Sequence, residues 1–126
     1  MKEAMKEAEG FKRFVRQHLP AAVRAKIRYE YEILDYGDAL YPDYSLEAIE
    51  VELPGGEVVR LDRVIDERAE NDPAFVEAIP EDDAWTGALA TGDDTLMHEL
   101  LKPLVAAAHD PYLKQGVLEF DLAEAA

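Results

Sequence analysis

The sequence predicts an α+β domain: a largely antiparallel sheet of about four strands, covered on one face by an N-terminal helix and a C-terminal helix. Three observations carry this expectation. Residues 25–33 and 116–122 alternate apolar and charged side chains with a period of two. Residues 47–62 hold two more strand-like runs around a Pro-Gly-Gly turn. Apolar stripes at three- and four-residue steps lie toward the two ends of the chain, and alternating strands with one polar side call for helices on the other. A chain of 126 residues, 48% apolar and 33% charged, can bury a core without staples, so one domain over residues 1–126 is expected.

The elements follow in order. Ala4, Met5, Ala8, Phe11, Phe14, Val15 and Leu19 form the stripe of the first helix, which Gly10 weakens and Pro20 ends. Lys12, Arg13 and Arg16 suit its C-terminal dipole. Ala25, Ile27, Tyr29, Tyr31 and Ile33 share one face of the clearest strand, with Lys26, Arg28, Glu30 and Glu32 on the other. The decapeptide DYGDALYPDY, residues 35–44, reads as a packed turn, because Asp beside Gly37 and Pro42 bonds back to local amides. Ile49, Val51 and Leu53, then LPGGE and VVRL, make a hairpin. A short helix follows with Asp62 as its N-cap and Val64 and Ile65 as its apolar contacts, then another with Asp72 as cap and Pro73 at its first position. PEDDAWTGALATGDD reads as a Gly-, Thr- and Asp-rich connection, with Trp85 plugging the core beneath it. Asp93 or Asp94 caps a helix over Thr95–Ala108, which Pro103 kinks, and GVLEFDL closes the sheet.

Charge limits the function. The net charge is −15, yet residues 1–28 carry eight Lys or Arg against three Glu, and residues 29–126 carry five against twenty-five acids. Such a field repels phosphates from most of the surface, so no direct nucleic-acid binding is expected. It keeps the protein soluble, as in a salty cytoplasm, or meets a basic partner, or imitates a nucleic acid. There is no cysteine, no secretory-type leader and no run apolar enough to span a bilayer, so a cytoplasmic protein without membrane attachment is expected.

Catalytic patterns are sparse. Ser45 is the only serine and has no spaced acid and base to activate it, and LPGGE joins two strands without opening a phosphate-binding helix. His98-Glu99 lacks a second histidine at position 102, which is Lys. His98 and His109 are three helical turns apart, about 16 Å, and cannot share an ion. Both read as surface or helix-end residues, and His18 as partly packed. Glu81, Asp82, Asp83, Asp93 and Asp94 read as solvated turn and cap residues. No catalytic residue, metal site or cofactor is assigned.

The element order, with Pro42-Asp43 followed by Glu50-Val51-Glu52, resembles the restriction-endonuclease-like nucleases, whose motif is a Pro-Asp and later an acid, any residue and Lys. The resemblance covers about ten residues and implies a divalent-metal-dependent nuclease. Glu52 stands where the metal-site lysine belongs, and the acidic surface opposes the substrate.

The remaining signal is aromatic. Five of the six tyrosines, Tyr29, Tyr31, Tyr36, Tyr41 and Tyr44, fall within sixteen residues that also hold Asp35, Asp38 and Asp43. Rings beside carboxylates attract cations, and Tyr is a common interface anchor. Exposed, these rings bind; buried, they are core. The expectation is a non-enzymatic interaction domain that meets another protein, a basic one, through Tyr29, Tyr31, Tyr36, Asp38, Tyr41, Asp43 and Tyr44, with homodimerisation left open. Acidic mimicry of DNA or RNA is the competing class.

Overall fold

The computed structural model describes residues 2–35, 37, 39–108 and 114–122. Helix α1 (Lys2–His18) leads into β1 (Arg24–Asp35), β2 (Leu40–Glu52) and β3 (Val58–Arg60). Four helices follow, α2 (Leu61–Asn71), α3 (Pro73–Glu77), α4 (Ala84–Thr91) and α5 (Asp94–Ala108), before β4 (Gln115–Asp121). The strands form one antiparallel sheet in the order β3-β2-β1-β4. The fold is therefore α+β.

Period-two patterning builds the sheet as the sequence predicts. Ala25, Ile27, Tyr29 and Tyr31 point into the core from β1, opposite Val51, Ile49 and Tyr44 of β2 and Leu118 of β4. The other face is charged. Arg24, Lys26 and Arg28 run down the middle, flanked by Glu50 and Glu52 on one side and Glu119 and Asp121 on the other. Arg28 Nε bonds Glu50 at 2.6 Å and Lys26 reaches Glu119 at 3.5 Å. Cross-strand pairs of this kind let a sheet face stand against water.

Helices meet the apolar side through aromatic contacts. Phe11 of α1 lies 4.8 Å from Phe120 of β4 and 4.9 Å from Trp85 of α4, and Phe14 lies 6.1 Å from Trp85. Trp85 is buried, as the sequence predicts, and its indole N–H has no hydrogen-bond partner among the described residues. Gly116 is paired with Tyr29 across β1 and β4, and the Tyr29 ring occupies the space where a side chain at 116 would begin.

Helix α1 runs through Gly10, the weak point that the sequence marks, at a cost of about 1 kcal/mol. Several expectations change. The decapeptide is not mainly a turn: residues 40–44 belong to β2, and Pro42 pairs with Ile33 inside the ladder. Proline is accommodated because β3 pairs only with residues 50–52, leaving this part of β2 at an edge. Residues 84–91 form a helix, not a connection. Asp83 caps it by accepting the Thr86 amide at 3.2 Å, and Gly92 closes it at a left-handed φ of 67°. Asp72 caps α3, and Asp93 caps α5 through the Leu96 amide at 3.0 Å. Asp62 caps nothing; it lies one residue inside α2, whose N-cap is Arg60, and Val64 is largely exposed while Leu61 and Ile65 are buried.

Candidate functional site: an acidic groove beside the long hairpin

The hairpin of β1 and β2 outruns its neighbours. β4 pairs with residues 24–30 and β3 with residues 50–52, so residues 31–35 and 40–44 extend beyond both neighbours as a two-stranded ribbon. Ile33, Leu40 and Tyr41 are 55%, 66% and 52% exposed on this ribbon, an unusual concentration of large apolar side chains in water.

Beside the ribbon, β2 and the α4–α5 junction enclose a groove of about 290 Å³. Leu46, Ala88, Leu89, Met97 and the Tyr44 ring supply its apolar lining. Glu32 and Asp43 stand on the strand side, with Asp93 and Asp94 on the helix side. No Lys or Arg lines the groove, and none of these four carboxylates pairs with one among the described residues. Asp93 is partly committed, since one of its oxygens caps α5. The others offer charge beside an apolar floor.

A latch between α5 and β2 forms one wall. The His98 ring stacks on Tyr44 at 5.6 Å and 19°, and its Nδ1 accepts the Tyr44 backbone N–H at 3.0 Å. Asp43 Oδ1 lies 3.8 Å from the same nitrogen. His98 is therefore a partly buried bridge and not the surface residue the sequence suggests. A second bridge lies further along β2. Asp62 accepts the Ile49 amide at 3.1 Å and two bonds from Arg60 at 3.0 and 2.9 Å. Burial pushes the Asp62 carboxyl up, but the bonds from Arg60 and the Ile49 amide outweigh it and hold the group below its ordinary range. Arg60 is raised, chiefly by the same bond.

Two further groups titrate away from their usual values. Burial lowers His18, Asp83 opposes this and Arg68 adds to it; His18 Nε2 lies 3.0 Å from the Thr86 hydroxyl, so it is the packed histidine the sequence predicts. Glu47, on the exposed bulge of β2, is raised by partial loss of hydration and by the Glu30 carboxyl beside it.

The predicted interaction residues divide. Tyr29, Tyr31 and Tyr44 are only 1%, 8% and 5% exposed and pack on one another, so these three are core and a partner cannot reach them as anchors. The alternating pattern that identifies β1 already places Tyr29 and Tyr31 on the apolar face. Tyr41 and Asp43 remain accessible. Tyr36, Asp38 and His109 lie outside the described residues. From the sequence Glu32 reads only as a strand-face charge, Asp94 only as a turn or cap residue, and Leu46, Leu89 and Met97 carry no site signal; spacing does not join position 43 to position 94.

Metal chemistry gains no geometric support. Asp43 and Glu50 are seven residues apart on one strand, about 20 Å by strand rise, too far for the shared ion that the nuclease resemblance implies. Among the described residues no group of three His, Asp or Glu is placed to hold a metal, and no helix is long and apolar enough to cross a membrane. Comparison with known proteins finds no matching family model, no matching curated protein and no matching solved structure.

Proposed function

We propose that this chain is a non-enzymatic interaction domain that binds a basic segment of another protein in the groove between β2 and the α4–α5 junction. One observation carries the reading: Glu32, Asp43, Asp93 and Asp94 border an apolar floor in a groove that no Lys or Arg among the described residues lines. A Lys or Arg side chain fits both parts, its aliphatic stem on Leu46, Leu89 and Met97 and its charge at the carboxylates. The exposed Leu40 and Tyr41 extend the contact along the ribbon, where an amphipathic ring is a good anchor.

Calorimetric titration with a Lys- and Leu-containing peptide tests the reading. Asp43→Asn with Asp94→Asn removes two rim charges and leaves the Asp93 cap in place. Exposed ion pairs contribute at most about 1 kcal/mol each, so a roughly three- to thirty-fold loss of affinity is expected with the fold unchanged. Equal affinity in the native and doubly substituted chains would contradict it.

A further inference from the structure

The wall of this groove contains a proton-sensitive contact. Because His98 Nδ1 accepts the Tyr44 N–H, that nitrogen carries no proton in the observed arrangement. A proton there turns the acceptor into a donor facing another donor, so the 3.0 Å bond is lost. The Asp43 carboxylate, already 3.8 Å away, is the acceptor at hand. Bond and ion pair are mutually exclusive uses of one nitrogen.

We infer that His98 is a proton switch on the acidic groove. Neutral, it ties β2 to α5 and leaves the Asp43 charge available to a cationic partner; protonated, it releases the Tyr44 amide and pairs with Asp43 itself. The inference rests on the groove being the binding site for a basic partner and adds how that site is controlled.

The electrostatic surroundings allow this exchange. Asp43 is the charged group that β2 presents, and it is the only carboxylate within 4.0 Å of the ring nitrogens among the described residues. On α5 itself, Asp94 lies one turn before His98, Lys102 one turn after, and Glu99 next to it; all three are exposed. Asp93 stands at the junction with α4. Helix α1 approaches α5 beside Leu100, about 200° around the helix from His98, so the basic residues of α1 face a different side. The nearest charges to the ring are therefore predominantly negative.

Binding and protonation are then linked. A cationic partner that engages Asp43 competes with the imidazolium for it, so its affinity falls as His98 takes up a proton. Two readouts on the full chain separate the latch from the groove. In an NMR pH titration from about 8 to about 5, the Tyr44 amide shift and its exchange protection are expected to follow the His98 imidazole. Over the same range, affinity for the Lys- and Leu-containing peptide is expected to fall roughly two- to five-fold in the native chain, as for loss of one rim contact, and to stay flat in His98→Gln. Gln can accept the Tyr44 amide and does not titrate. A Tyr44 amide indifferent to the His98 titration, or identical affinity profiles in the native and His98→Gln chains, would overturn the switch. A peptide that binds at neither pH removes the groove reading, while the Tyr44 titration still decides the latch.

Discussion

Asp62 illustrates how one side chain can fasten two elements and make their stability depend on pH. Its carboxylate joins β2 to the start of α2 through the Ile49 amide and Arg60, which hold its pKa below the ordinary 3.8. A carboxyl depressed in the folded state contributes fully above its unfolded pKa, and that contribution is lost as pH falls through the folded value. His18 acts at a higher pH. Because folding lowers it from 6.5, the unfolded chain takes up a proton first as the solution becomes acidic, and stability declines below that point. Glu47 has the opposite sign, since a raised carboxyl binds its proton more readily folded, but it lies in open solvent where such effects are screened. We expect the stability advantage of the native chain over His18→Gln, measured by urea unfolding, to shrink as pH falls below about 6.5, and that over Asp62→Asn to shrink only near and below about 4. Differences that do not change with pH would contradict these assignments.

Among the elements, β2 carries the most unusual burden, because from residue 40 to 49 it is an edge strand. Several of its outward backbone groups are covered. Tyr31 donates its N–H toward Lys114, so Tyr44 opposite it points away from β1, and His98 takes its amide. Pro42, two residues earlier, faces the same way and has no N–H to offer. Arg60 bonds the Glu47 carbonyl at 3.3 Å, and Asp62 takes the Ile49 amide. Sealed edges resist pairing with another chain. Pro42→Val restores a donor and a strand-forming side chain at the open end of this row. It is expected to keep the native circular dichroism while its sedimentation coefficient rises with protein concentration in high salt, where repulsion between acidic chains is screened. Sedimentation identical to that of the native chain would show that Pro42 does not protect the edge.

The same elements show what could be read from the sequence. Strands β1 and β4 were legible because each has one buried and one wet face, and α3 because Asp72 and Pro73 are unambiguous start signals. Helix α4 was not, since AWTGALAT has no polar stripe: Trp85, Thr86 and Ala88 are buried, and Gly and Thr mimic a loop. The ribbon misled for the converse reason. Tyr, Asp, Gly and Pro together resemble a turn, and only the pairing of Pro42 with Ile33 reveals a strand.

For the whole molecule, charge is the property that most constrains function. The excess of acids falls after residue 28, while the cations of β1 are flanked by Glu and Asp in neighbouring strands. The sequence revealed this polarity but not its focus, because the groove joins residues 32–46 to residues 88–97 through tertiary packing alone. The most direct test is an NMR titration of the 15N-labelled chain with the Lys- and Leu-containing peptide at low and high salt. Perturbations should concentrate at residues 43–46, 88–89 and 92–97 and weaken as salt is added. Perturbations confined to α1 or to the charged sheet face, or none in the groove at low salt, would contradict the account.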